Sequence, residues 1–263
     1  MWWKYGIAAS ACIVEVSGAG CPFLAAQQGT RALHNVPASH RKLGLQHDED
    51  VLHYYEALGN IDFNEVKTDI VGLIHSSEEW WPSDWQSVGG SYGPFFIRLA
   101  WHCSGSYRTS DGRGGCDGGR QRFNPEQSWE DNTNLDKARE LLWPIKQKYG
   151  QGLSWGDLFV LAGTTAIEDM GGPTIGFCAG RIDDSTGAAS VPLGPTQYQE
   201  DLYPCELNGN CSAPLGSEKV GLIYVDPTGH LGNPDPSLSV ADIRDVFGRM
   251  AMNDTEVVFF LIV

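Results

Sequence analysis

An all-α domain with long irregular links is the fold class this sequence predicts, and three observations predict it. Apolar residues recur at helical spacing, as at Val66, Ile70, Leu73 and Ile74. Capping-box spacings open two further segments, at Ser154-Trp155-Gly156-Asp157 and at Ser239 with Asp242. Glycine follows the helical patterns at Gly105, at Gly150 and at Gly171-Gly172-Pro173, where it can end them.

Each element derives from those signals. The apolar period predicts a first helix over residues 64–80, and a second carries Arg98 and His102 and ends near Gly105. Further helices are expected over residues 135–149, 154–170 and 240–252, with a sixth beginning after Asp254. Residues 21–55 lack periodicity and read as an extended arm. Residues 181–218, rich in Gly, Pro, Ser and Asp, read as a loop longer than a compact domain tolerates without a purpose. The glycine-rich stretch 111–119 lacks both the Gly-Lys-Ser/Thr ending and the preceding β run of a phosphate loop, so it reads as a turn-rich connector.

Composition bounds the function. The 263 residues are 41% hydrophobic with nine tryptophans, enough for one packed domain. A formal net charge of -15 repels phosphate backbones and anionic lipid surfaces, so no nucleic-acid partner is expected. The longest apolar run, 257–263, falls far short of the roughly 20 residues a membrane span needs. The start of the chain has the shape of a secretory signal over residues 1–20: Lys4 precedes an apolar segment, and Gly18, Ala19 and Gly20 precede Cys21, with Glu15 a departure from the pattern. Secretion is therefore expected, with a cytoplasmic location as the alternative. Removing that segment leaves Cys21, Cys103, Cys116, Cys178, Cys205 and Cys211. Cys205 and Cys211 are the favoured disulfide pair, whereas Cys103, beside His102 on its helix, is expected to pack as a reduced thiol.

The chemistry is concentrated in Pro94-Phe95-Phe96-Ile97-Arg98-Leu99-Ala100-Trp101-His102. In a helix, Arg98 and His102 share one face with Trp101 beside them. A histidine can take the first proton of hydrogen peroxide and return it to the departing oxygen, while a permanently charged guanidinium stabilises the negative charge developing there. The bare string by itself favours the plainer reading, an amphipathic helix with a surface arginine and a core histidine.

The flanking blocks favour the chemical reading. Trp80-Trp81-Pro82-Ser83-Asp84-Trp85, Arg98-Leu99-Ala100-Trp101-His102, Tyr107-Arg108-Thr109-Ser110-Asp111-Gly112-Arg113-Gly114-Gly115 and Trp129-Glu130-Asp131-Asn132 occur in order. They are followed by Asn134-Leu135-Asp136-Lys137-Ala138-Arg139, Leu142-Trp143-Pro144-Ile145-Lys146, Gly221-Leu222-Ile223-Tyr224-Val225 and Phe247-Gly248-Arg249-Met250-Ala251-Met252-Asn253-Asp254. This series resembles the haem catalase-peroxidases, the bifunctional branch of the class I peroxidase superfamily, and the run from Cys205 to Cys211 is most similar to its secreted fungal members.

That resemblance implies a haem peroxidase-type fold and a b-type haem as cofactor. It implies hydrogen peroxide and small electron donors as substrates, and a homodimer in a longer form of the protein. Arg98, Trp101 and His102 would be the distal residues, Asn132 would hold the histidine's Nδ1, and Asp131 would stand at the neck of the peroxide channel. Trp101, Tyr224 and Met250 match the family's covalently joined trio, which allows a second peroxide to be oxidised to dioxygen. The family's axial histidine lies in a Gly-Gly-His-Thr-Phe-Gly block, and none of His34, His40, His47, His53, His75, His102 and His230 lies in such a block.

The expectation is that the metal-ligating proximal histidine lies beyond Val263. Residues 64–263 would then form the distal half of a haem domain, behind an arm at 21–63, in a shortened chain that is inactive and holds no haem alone. A monofunctional haem peroxidase, which would lack the Tyr224-Met250 pair, and a non-enzymatic haem-free fragment stand as the alternatives.

Overall fold

The computed structural model describes residues 11–13, 48–86, 89–107, 109, 112–129, 132–174, 176–193, 240, 243, 244, 247, 248 and 250–257. Five helices dominate them: α1 (Asp48–Leu58), α2 (Phe63–Ile74), α3 (Gly93–Ser104), α4 (Leu135–Tyr149) and α5 (Trp155–Asp169). Four three-residue strands make two small antiparallel pairs. β1 (Ala11–Ile13) lies against β4 (Phe177–Ala179), with Cys12 opposite Cys178 in register, and β2 (Asp84–Gln86) pairs with β3 (Gly89–Ser91).

Local chemistry sets the helix ends. Asp62 caps α2 by accepting from the backbone N–H groups of Asn64 and Glu65, and Ser154 caps α5 by accepting from that of Asp157. α4 ends at Gly150, where φ is +59°, and Lys146 donates to the carbonyls of Gly150 and Leu153 at 2.7 and 2.5 Å. The expected spans 135–149 and 154–170 therefore hold within a residue.

Two expected spans need correcting. α2 stops at Ile74 rather than near Trp80, because its apolar period runs out there: Ser76 donates back to the Leu73 carbonyl and the Tyr92 N–H takes the Ile74 carbonyl at 2.9 Å. The Tyr92 hydroxyl then donates to the Trp81 carbonyl and accepts from the Glu78 N–H, so the segment after α2 is stapled as a turn. The extended arm expected to residue 55 is helical from Asp48. Tyr54 and Leu58 of α1 are buried, and Tyr54 donates to Asp157 at 3.1 Å, so tertiary contacts stabilise a helix whose own period is weak.

α3 packs along α5 at the centre of the domain. Gly163 makes this close approach available: a Cβ there would collide with that of Ala100. Phe96 and Leu99 from α3, Leu158, Phe159 and Ala162 from α5, Ile70 and Ile74 from α2, and Leu135, Ala138 and Leu142 from α4 are all completely buried. Each large apolar side chain among them contributes roughly 1.5–3 kcal/mol by leaving water. Asp157, completely buried, accepts from Arg181, from the Gly180 N–H and from Tyr54, tying α1 and β4 to α5.

Cys103 is the third correction. It is disulfide-bonded to Cys116 rather than reduced, with Cα atoms 4.7 Å apart. Left-handed glycines at 112, 114 and 115 turn the connector back onto the end of α3, and Ser106 holds it there by accepting from the Gly115 N–H. Cys178 is disulfide-bonded as well, while Cys205 and Cys211 lie outside the described residues. The Cys103–Cys116 bridge closes a loop of 13 residues' separation, so reducing it should cost about 2–4 kcal/mol. Urea unfolding followed by far-UV circular dichroism should show a lower midpoint for Cys103→Ser; an unchanged midpoint would refute the bridge.

Candidate active site

α3 begins at Gly93-Pro94, with proline in the first turn where its missing N–H costs nothing, and it continues to Ser104. One side of it, through Phe96, Leu99 and Cys103, enters the core. Arg98, Trp101 and His102 lie beside that side and are half-buried. Core packing thus fixes the helix, and the polar pair rides on its flank.

The partners of that pair arrive from a connector 30 and 35 residues later in the chain. Gln121, completely buried, donates to the Leu99 carbonyl at 3.5 Å and keeps the connector against α3. The chain then turns through a cis Asn124-Pro125 bond into a short 3-10 turn, Glu126–Ser128, whose end is secured by Ser128 donating to the Pro125 carbonyl. Trp129, 2% exposed, anchors the chain just ahead of Asn132.

Asn132 is buried and both ends of its side-chain amide are used. Its Nδ2 donates to the Glu126 carbonyl at 2.6 Å, and its Oδ1 lies 2.9 Å from His102 Nδ1. Because the amide nitrogen is already spent on a carbonyl, the oxygen must face the imidazole, and Nδ1 must carry the proton. Nε2 then bears the free lone pair, and it has no hydrogen-bond partner among the described residues. Next along the chain, the Thr133 carbonyl accepts from Arg98 Nη1 at 3.0 Å. One dipeptide therefore braces both the imidazole and the guanidinium.

Burial, followed by the positive charge of Arg98, pushes the His102 imidazolium down to about 4, against the opposing effect of the Asn132 bond. The imidazole is neutral at any ordinary pH, which is the form a base requires. Among the described residues no group of three or more His, Cys, Asp or Glu is placed to hold a metal ion.

Of the residues singled out in the sequence, His102 and Asn132 meet, Arg98 is tied to the neighbouring Thr133, and Trp101 lies beside His102 on the same helix. Asp131 and Tyr224 lie outside the described residues. Met250 comes after a helical stretch and is half-buried; its N–H donates to the Phe247 carbonyl, and the Phe247 ring stands 5.8 Å from that of Trp101. Residues 240, 243, 244, 247 and 248 are helical, and Met250-Ala251 is a turn with φ at +67° on Ala251, so the helix expected over 240–252 ends just before Met250. Asn253 and Glu256 exchange backbone bonds as a full capping box that opens the next helix at Asp254. Sequence reasoning missed Glu126 and Ser190, both completely buried behind Asn132, because Pro-Glu-Gln is ordinarily an exposed turn.

The peroxidase family model matches residues 80–262. The chain is 54% identical over 211 residues to a catalase-peroxidase of Natronomonas pharaonis, covering 80% of this chain and 29% of that protein. It is 54% identical over 206 residues to catalase-peroxidase 2 of Shewanella sp. strain ANA-3, covering 78% and 27%, and 52% identical over 209 residues to catalase-peroxidase 1 of Mycolicibacterium smegmatis, covering 80% and 28%. The chain spans a little over a quarter of the length of these relatives. With a family model matched over well more than half its length and a histidine, arginine and asparagine brought together within that match, the chain belongs to the peroxidase family.

Proposed function

We propose that these residues form the peroxide side of a haem pocket in a catalase-peroxidase. The observation that carries the reading is the bond between Asn132 Oδ1 and His102 Nδ1, which leaves a neutral Nε2 free beside a permanently charged Arg98. A b-type haem bound against this face would supply the iron at which the O–O bond is split. The residues fit that role as its peroxide-facing wall: Trp101 and His102 offer half-buried rings, and the donor set is a base and a cation rather than a metal-ligating cluster.

Within this reading, His102 Nε2 would take a proton from one peroxide oxygen and return it to the other, which would leave as water, the haem supplying the two electrons that the cleavage consumes. Asn132 keeps the imidazole in the correct tautomer throughout. Arg98 places positive charge where the departing oxygen becomes negative, and its tie to Thr133 holds it in range. Trp101, Tyr224 and Met250 are proposed as the linked trio that permits oxidation of a second peroxide to dioxygen; the placement of Phe247 against Trp101, three residues before Met250, supports this. The disulfide at Cys103–Cys116 supports an exported protein, since such bonds persist in oxidising compartments.

Two substitutions test the reading in the haem-loaded protein that carries this site. His102→Ala should slow the reaction with hydrogen peroxide by about 10²- to 10⁴-fold in stopped-flow absorbance, with Arg98→Lys losing less because charge is kept while the planar fork is lost. An unaltered rate in the His102 variant would remove the histidine from the mechanism. Tyr224→Phe should abolish dioxygen release at an oxygen electrode while donor oxidation persists. Undiminished dioxygen in that variant would contradict the trio.

A further inference from the structure

Asn253-Asp254-Thr255 is an Asn-x-Thr triplet without proline in the middle, the acceptor pattern for an N-linked oligosaccharide. Such triplets recur by chance, so the fold around this one decides whether a glycan has room. Asn253 follows a fixed turn. The carbonyl of buried Phe247 accepts from the Met250 and Met252 N–H groups, and that of Gly248 accepts from Ala251, whose φ is +67°. From this anchor the chain comes to the surface: Asn253, Asp254 and Thr255 are all exposed, whereas Val257, one turn further on, is buried.

The two ends of the Asn253 side chain are used differently. Its Oδ1 accepts from the Glu256 N–H at 3.0 Å, while the Asn253 N–H donates to the Glu256 carboxylate at 2.9 Å, which fixes the amide over the first turn of the helix that Asp254 opens. Nδ2 has no hydrogen-bond partner among the described residues. An amide that gains a substituent on nitrogen keeps its oxygen as an acceptor, so a sugar on Nδ2 leaves the cap intact. The acid in the middle of the triplet is matched as well: Arg244 donates to Asp254 from Nε at 3.1 Å and from Nη2 at 2.6 Å, which sets a positive charge against the carboxylate beside the acceptor amide.

We propose that Asn253 is a modification site, an asparagine that carries an N-linked oligosaccharide through Nδ2. The co-reactant is an oligosaccharide held on a lipid pyrophosphate. Nδ2 loses one proton as it bonds to the anomeric carbon of the sugar, the bond from that carbon to the pyrophosphate breaks, and the lipid pyrophosphate leaves. The inference rests on the reading of the chain as exported, because this transfer belongs to the compartment in which disulfides form. The sugar stands a few residues ahead of the apolar run 257–263, where a bulky hydrated group counters self-association.

The test is expression of the chain through the secretory pathway of a eukaryotic host, then release of glycans with peptide N-glycosidase F in oxygen-18 water and mass spectrometry of the peptide that carries Asn253. Wild type should give an oxygen-18-labelled aspartate at 253. Thr255→Ala, an exposed position, should lose the label and lower the mass of the intact chain by one glycan. A chain that has reached the secretory compartment, recognised by loss of residues 1–20 or by a glycan on Asn210 of the triplet Asn210-Cys211-Ser212, but that keeps an unmodified Asn253, overturns the proposal and leaves the export reading intact. A chain retained in the cytosol with its first residues uncut and no glycan at either asparagine overturns the export reading on which the proposal rests.

Discussion

The hydrogen bond between Asn132 and His102 is the constraint on which the functional arrangement depends. A histidine on the flank of a helix can face solvent, turn toward either ring nitrogen, or take up a proton. Here one buried amide, spent at its nitrogen on the Glu126 carbonyl, leaves the imidazole a single arrangement. Burial and the nearby guanidinium keep it neutral. The rest of the domain can be understood as support for that bond: α5 fixes α3 through the Gly163–Ala100 approach, while the disulfide and Gln121 fix the connector to the same helix.

Support of this kind explains why the site can be polar without being loose. The buried side chains of Phe96, Leu99 and Cys103 sit immediately beside Arg98 and His102, so the helix that carries the polar pair is anchored in the core. The dipeptide Asn132-Thr133 then meets the helix twice, at His102 and at Arg98, four residues apart. Any displacement of the connector alters the base and the cation together. The imidazole and the guanidinium are thus held in register by one segment.

Much of this was legible in the sequence. α4 and α5 arise from apolar period, a serine cap and a stopping glycine, all local signals that tertiary packing reinforces. Arg98, Trp101, His102 and Asn132 were found because their blocks resemble a family. The blocks alone could not supply the reason Asn132 points the correct way, since that depends on a carbonyl at Glu126. The features that escaped sequence reasoning share a cause. α1 forms because Tyr54 reaches Asp157, a residue 103 positions away. Cys103 pairs with Cys116 because three left-handed glycines fold the connector back, whereas its place next to His102 suggested a simple core thiol. Glu126 is buried by Ser190 and Arg120, and no local pattern announces a partner 64 residues on.

The central claim is that His102 acts as a base held neutral by its surroundings, and the pH dependence of the reaction with peroxide tests it most directly. The base works only when unprotonated, so the rate constant of the haem-loaded protein follows the neutral fraction of His102. With the imidazolium held down to about 4, that rate constant should stay level from pH 8 to about pH 5 and lose half its value only near pH 4. A rate already halved near pH 6.5, the ordinary value for histidine, would contradict the account.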